Sequence, residues 1–155
     1  MNNKLPLRPN VCLLIYNQDR KLFVGERAGS PGVWQLPQGG VGKKNSLEEA
    51  ALREAHEEMG VPYEMLAFRA LLKATHEYEF SDPPHYALNK WRGQKQNFCL
   101  IEFTGSDQDI DLEFHEPEFS NFQWIELDQV LSVVEEKRRA GYRPALEEFK
   151  AFANS

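Results

Sequence analysis

Three glutamates, Glu54, Glu57 and Glu58, stand at i, i+3 and i+4 within the run Arg53 to Val61. A helix through them gathers three carboxylates on one side. Like charges that close repel, and a sequence shaped by stability alone tends to interleave lysines. Two readings are open: a solvated acidic face, or a seat for a hard divalent cation that takes oxygen ligands. Magnesium keeps waters and binds substrate phosphates, so a seat of that kind is open on one side. Just before this run lies Pro37-Gln38-Gly39-Gly40-Val41-Gly42-Lys43-Lys44. Glycines let the backbone bend sharply and approach a ligand closely, and a glycine-rich turn feeding a helix is a common setting for phosphate contact. Lys43 and Lys44 either meet phosphate there or are solvated loop residues. Arg8 has the fork geometry to grip a phosphate. Tyr78 and Tyr142 either stack on a base or donate to a phosphate, or fill the core or its rim. Gln94 and Gln96 either contact a substrate or are alternating strand residues.

The elements that must position these groups follow from pattern. Ser46 and Glu49 form a capping box, which satisfies free N–H groups at a helix start. Leu47 to Met59 is rich in helix formers, Gly60 supplies a C-terminal cap and Pro62 forbids continuation. Val11 to Tyr16 is a continuous apolar run of strand length, Asn17 to Arg20 reads as a turn, and Leu22-Phe23-Val24 returns. Gly29-Ser30-Pro31-Gly32 reads as loop and Trp34-Gln35-Leu36 as a short strand stopped by Pro37. Ala67–Ala74, Asn97–Phe103 and Phe122–Ile125 read as strands. Asp128 is expected to cap a helix to about Arg139, and Pro144 to open a last helix ending near Phe152. Strands first, one early helix, more strands and then helices predict an α/β or α+β sandwich.

Composition bounds the function. The chain has 155 residues, 41% hydrophobic and 27% charged, the balance of a globular domain, and one domain over 1–155 is expected. No apolar run approaches the roughly 20 residues needed to cross a bilayer, and the first residues lack a signal-peptide stretch, so no membrane and a cytoplasmic location are expected. Cys12 and Cys99 sit in apolar runs and read as buried reduced thiols. Neither they nor the four histidines show zinc spacing. A net charge of -6 argues against a coat of positive charge for non-specific nucleic-acid binding, and no DNA duplex is expected as partner. Local basic clusters remain at Lys43-Lys44, Lys90 to Lys95 and Lys137-Arg138-Arg139.

The glycine run and the glutamate helix together resemble the Nudix box, Gly-x5-Glu-x7-Arg-Glu-U-x-Glu-Glu-x-Gly-U, with U a bulky apolar residue. Gly39 opens it, and Arg53, Glu54, Glu57, Glu58, Gly60 and Val61 hold its later positions at the right spacing. The resemblance implies an α/β/α sandwich with a mixed sheet and a loop–helix–loop catalytic box. It implies a metal site, Mg²⁺ or Mn²⁺, on Glu54, Glu57, Glu58 and Gly39. Two positions depart: the first glutamate of the box is Asn45, and the apolar position after Arg53-Glu54 is the small Ala55. In the family that glutamate helps to hold the box arginine. Glu49, at i, i+4 from Arg53, is expected to replace it in part, so Asn45 is expected to tune the enzyme rather than silence it.

Outside the box the chain resembles one branch, the bacterial RNA pyrophosphohydrolases and the asymmetric diadenosine tetraphosphate hydrolases. The matches are Leu7-Arg8-Pro9-Asn10-Val11, Trp34 to Gly40, Gly93-Gln94-Lys95-Gln96, Pro117-Glu118-Phe119 followed by Trp124, and Lys137-Arg138 with Tyr142. This likeness implies that Glu118 is a metal ligand or general base. Arg8, Arg27, Gln38, Gly39, Gly40, Lys43, Tyr78, Gln94, Gln96, Arg138 and Tyr142 become substrate contacts, and His56, at a variable box position, a structural residue. The expected reaction is metal-dependent hydrolysis of the 5′-triphosphate or diphosphate end of RNA to a 5′-monophosphate. The alternatives are a dinucleoside polyphosphate or nucleoside triphosphate hydrolase, or a non-catalytic module that binds nucleotides or RNA ends.

Overall fold

The structure, a computed structural model, describes residues 5–42 and 45–154. Its frame is a mixed seven-stranded sheet. The strands are β1 (Leu7–Tyr16), β2 (Leu22–Arg27), β3 (Trp34–Gln35), β4 (Gln38–Gly40), β5 (Leu66–Glu79), β6 (Gly93–Phe103) and β7 (Phe119–Ile125). The order β3-β2-β1-β6-β5 carries the two short additions, β4 on β1 and β7 on β2. β1 and β6 run parallel, residue for residue from Leu7↔Gly93 to Tyr16↔Glu102, and the other pairings are antiparallel. The helices are α1 (Leu47–Met59), α2 (Val130–Val133) and α3 (Glu136–Ala153).

β1 explains the layering. Strand side chains alternate between faces, yet Val11 to Tyr16 is apolar throughout because both faces are covered. Val11, Leu13 and Ile15 pack with Ala50, Ala51, Ala55 and Met59 of α1. Cys12, Leu14 and Tyr16 pack with Tyr142, Leu146 and Phe149 of α3. The expected α/β/α sandwich with a mixed sheet is therefore present. Ala55, fully buried, lets α1 lie close on the sheet. Both cysteines are buried and unbridged.

α1 has the expected bounds. Ser46 Oγ accepts from the Glu49 N–H at 3.1 Å, Glu49 Oε1 accepts from the Ser46 N–H at 3.0 Å, and Gly60 ends the helix in the left-handed region at φ 66°. The C-terminal helices depart from expectation. Asp128 sits inside a 3-10 turn, Leu127–Gln129, and caps nothing; α2 stops at Val133, and α3 runs unbroken from Glu136 through Pro144. Proline there removes one backbone hydrogen bond. Burial of Tyr142, Ala145, Leu146 and Phe149 along one stripe of α3 outweighs that loss. The strands also run longer than the apolar pattern marks, because their polar ends pair as well.

Candidate active site

The sheet face beneath α3 changes character along its strands. On β1 the buried series Leu14, Cys12 continues as Asn10 and Arg8, and on β6 Leu100, Phe98 continues as Gln96 and Gln94. On β5, Ala70, Leu72 and Ala74 pack toward α3, and the same face continues as His76 and Tyr78. Register aligns these into two rows, Arg8↔Gln94↔Tyr78 and Asn10↔Gln96↔His76. Gln94 and Gln96 are only 4% and 3% exposed. Gln94 Oε1 accepts from Asn10 Nδ2 at 3.1 Å and Arg8 Nη1 at 3.3 Å, and its amide donates to the Tyr78 hydroxyl. Gln96 Nε2 donates to Gln38 Oε1 at 2.6 Å and to Asn10 Oδ1 at 3.4 Å. Buried amides are affordable when each is partnered.

The glycine run forms strand, where a turn was expected: Gln38, Gly39 and Gly40 pair with Cys12, Val11 and Asn10. Its glycines serve close approach. A Cβ on Gly39 would lie 2.2 Å from the Glu54 carboxyl carbon, and one on Gly40 would lie 2.2 Å from Arg8 Nη2. The bare backbone is a floor with the Glu54 carboxylate at one side and the Arg8 guanidinium at the other. Around it opens a cleft of about 360 Å³ that also meets Asn10, Gln38, Tyr86, Gln94 and Glu118.

α1 brings Glu54 to this cleft, with Glu57 and Glu58 following it along the helix. Glu58 is 7% exposed, and its Oε2 is buried without a hydrogen-bond partner. Burial pushes its carboxyl well above the usual range, and the neighbouring Glu54, Glu118 and Glu57 push the same way. Glu54 is also raised, first by burial, against the opposing pull of Arg53. Unpartnered buried carboxylate is costly, and a cluster whose members raise one another calls for positive charge. Among the described residues, no three His, Cys, Asp or Glu side chains converge tightly enough to hold an ion as they stand. The donor set fits a hard cation: all-oxygen, open on the cleft side, with one buried acceptor unused.

Arg53 is not held by Glu49, which is engaged in the capping box. It donates to Asn45 Oδ1 at 2.9 Å, to the Gly40 carbonyl at 3.1 Å and to Glu54 Oε1 at 3.3 Å. Asn45 thus replaces the box glutamate directly, with an amide oxygen in place of a carboxylate. His56 has the structural role expected: Nδ1 lies 2.7 Å from the Val61 carbonyl and the ring stacks on Tyr63. His115 Nε2, 3.7 Å from Glu57 Oε2, is unforeseen.

A second cavity of about 290 Å³ lies on the same sheet face, lined by His76, Tyr78, Gln96, Lys137, Arg138 and Tyr142. Tyr142 is a wall and not a free stacking ring: it is 1% exposed, its hydroxyl accepts from the Leu36 N–H, and it packs edge-on against Phe98. Arg27 lines neither cavity. It donates to Gln35 Oε1 at 2.8 Å and meets Glu135 at 3.3 Å, at the register shift that ends β2. Arg138 donates to the same Glu135. Lys43 lies outside the described residues. Asn10, His76 and Tyr86 were missed. Alternation back from the apolar run points to Asn10, whereas nothing local marks Tyr86.

Residues 6–149 match a family model described as NUDIX domain. The chain is 38% identical over 151 residues to an RNA pyrophosphohydrolase of Novosphingobium aromaticivorans, covering 94% of both chains. It is 35% identical over 153 residues to that of Sphingopyxis alaskensis, covering 96% of both. Among solved structures it resembles a C. elegans Ap4A hydrolase in a binary complex (TM-score 0.65, 20% identity, 94% of this chain and 98% of that one). It also resembles the E. coli dihydroneopterin triphosphate pyrophosphohydrolase (TM-score 0.67, 21% identity, 94% and 97%).

Proposed function

The chain belongs to the Nudix hydrolase family, and from that footing we propose that it trims the 5′-triphosphate or diphosphate end of RNA to a 5′-monophosphate. The observation that carries the reading is the glycine-floored cleft, which Arg8, Glu54 and Glu118 line together. A guanidinium grips a phosphate in a bidentate fork, and the carboxylates lining the same cleft would supply the oxygen ligands that a hard divalent ion takes. Glu54, Glu57 and Glu58, with Glu118 across the cleft, would hold Mg²⁺ or Mn²⁺. Such an ion neutralises phosphate charge and lowers the pKa of a bound water. Arg8, fixed by Gln94, orients the chain of phosphates. A water attacks one phosphorus, its proton passes to a carboxylate lining the cleft, Glu54 or Glu118, and the anhydride P–O bond breaks with release of phosphate or pyrophosphate. The choice of RNA is supported by the relatives named above, which match along nearly their whole length. A cytoplasmic setting, where new RNA ends arise, belongs to this reading.

The neighbouring cavity of about 290 Å³, lined by His76, Tyr78 and Tyr142, supports a dinucleoside polyphosphate as the second reading. A panel of triphosphorylated RNA, diadenosine tetraphosphate and free GTP and ATP, with Mg²⁺ or Mn²⁺, separates the two. RNA should have the highest kcat/KM, because contacts beyond the first nucleotide add transition-state binding. A higher value for diadenosine tetraphosphate or a free nucleotide replaces the RNA reading with the second one.

A further inference from the structure

β5 outlasts the helix that covers it. Ala70, Leu72 and Ala74 pack beneath α3, but the same face continues as His76, Tyr78 and, just past the strand end, Phe80, each half-buried. A sheet face leaving its cover normally turns polar. Here it turns aromatic and meets a fourth ring, Tyr86. Ring centroids follow one another at 5.6 Å (His76–Tyr78), 6.0 Å (Tyr78–Phe80) and 6.4 Å (Phe80–Tyr86). The Arg8 guanidinium then lies 4.5 Å over the Tyr86 ring. The row therefore begins in the cavity holding Lys137 and Arg138 and ends at the catalytic cleft.

Tyr86 is 47% exposed yet firmly placed. The next residue, Ala87, is fully buried, and a 3-10 turn, His85–Ala87, carries both. The turn is tied by Ala87 N–H to the Pro84 carbonyl at 2.9 Å and by Trp91 N–H to the Ala87 carbonyl at 3.0 Å. At the other end, Gly141 lies within α3 beside His76, where a Cβ would fall 2.6 Å from the imidazole Cδ2. Glycine within a helix costs about 1 kcal/mol relative to alanine. Here it leaves His76 the space in which it lines the cavity. Alternation turns Glu77 and Glu79 to the other side of the strand; Glu79 is paired with Arg92, and Glu77 faces Lys95 in register.

We propose that this aromatic row is a track for single-stranded RNA, on which the bases behind the 5′ end rest against Tyr86, Phe80, Tyr78 and His76 in turn. The proposal rests on the RNA reading of the cleft. Every base has a π-face, so a row of rings binds a strand with little sequence preference. Tyr78–Phe80 and Phe80–Tyr86 meet edge to face at 85° and 87°, so successive rings turn their faces in different directions and suit splayed bases rather than one continuous stack, the form in which single-stranded RNA is read. Cations stand at both ends, Arg8 at one and Lys137 with Arg138 at the other, and the row is continuous with the cleft that takes the phosphates.

Phe80→Ala is the decisive variant, with Phe80→Tyr as the conservative control. Steady-state kinetics on triphosphorylated RNA of about five nucleotides and on GTP should show the RNA-to-GTP ratio of kcat/KM falling roughly five- to a hundredfold in Phe80→Ala, one lost base stack, and recovering in Phe80→Tyr. In parallel, fluorescence anisotropy with a 5′-hydroxyl RNA of the same length reads the track without any hydrolysis. Its Kd should rise by a similar factor in Phe80→Ala. That assay stands even if the substrate panel rejects RNA ends, so failure of the track and failure of the substrate reading are distinguishable. An unchanged ratio together with unchanged Kd overturns the track. A native dimer that Phe80→Ala dissociates, with RNA binding unaltered, overturns it in favour of a subunit interface.

Discussion

Strands β1, β6 and β5 present two ends on one face. At one end Cys12 and Leu14 sit beside Phe98 and Leu100 beneath α3. Two residues further back, Asn10 and Arg8 sit beside Gln96 and Gln94, with His76 and Tyr78 beyond. The backbone ladder is the same and the central side chains are buried at both ends. At the first end, burial is the whole purpose: apolar area leaves water at about 25 cal/mol per Å². At the second, Asn10, Gln94 and Gln96 are kept in place by hydrogen bonds to one another, to Gln38 and to Tyr78, and the face stays open to a ligand. One end holds the fold and the other aims Arg8, and a single change of cover separates them.

The largest break in that contrast lies beside the polar end, on α1. Glu57→Gln removes one charge from the carboxylate cluster and should lower kcat by about 10²–10⁴-fold with the fold intact. EDTA should abolish turnover in the wild type. Full activity in EDTA or in the variant would falsify the carboxylate chemistry.

Within one strand the contrast is sharper still. Phe98→Ala opens a cavity under α3 and should cost about 3–5 kcal/mol in urea unfolding. Gln96→Leu, two residues away, leaves Gln38 Oε1 and Asn10 Oδ1 short of a donor and should cost about 1–3 kcal/mol, while kcat/KM falls out of proportion to stability. Equal stability losses with activity retained in Gln96→Leu would erase the distinction between the two ends.

Glu58 tests the cost of burying a carboxylate among its like-charged neighbours. A carboxyl raised in the folded state contributes stability below its ordinary value of 4.5 and loses it as pH climbs through the raised value. Without divalent ions, wild-type Tm should therefore fall from about pH 4.5 upward, relative to Glu58→Gln. Near neutrality the variant should be the more stable by roughly 1–3 kcal/mol. Added Mg²⁺ should raise the wild-type Tm and leave the variant nearly unmoved. A variant less stable than wild type at every pH in EDTA would mean that Glu58 has partners this arrangement lacks.

The smallest effect is expected at Asn45. Its amide oxygen already accepts from Arg53, so Asn45→Glu adds charge to an existing contact and should change kcat/KM by no more than about tenfold. Loss of the contact in Asn45→Ala should cost about 1 kcal/mol of stability. A wild type inactive on every substrate and strongly restored by Asn45→Glu would make the native chain a binding module.

Much of this was legible in the chain. The capping box, Gly60 and Pro62 mark α1 to the residue, because helix ends are set by local hydrogen bonding. The i, i+3, i+4 glutamates announce a shared face for the same reason. The C-terminal helices were not legible: Pro144 reads as a start, and only the stripe from Tyr142 to Phe149 on the sheet explains its place inside α3. For Arg27 and Tyr142 the chain gives position and not surroundings: the structure pairs Arg27 with Gln35 and Glu135, and makes Tyr142 a buried wall of the second cavity.

What the sequence determined alone is whatever depends on neighbours within a turn or a strand: α1 and its caps, the carboxylate cluster, the apolar run of β1 and the family to which the chain belongs. What only the tertiary structure decided is whatever depends on partners far along the chain. Asn45 became the partner of Arg53 because the capping box had already engaged Glu49. Gly39 and Gly40 became a floor because Glu54 and Arg8 close on them from elements fifteen and some thirty residues away. Tyr86 joined the cleft because a buried alanine anchors its turn beside Arg8. Local hydrogen bonding and side-chain period are written in adjacent residues, whereas packing is a property of surfaces that meet only once the chain has folded.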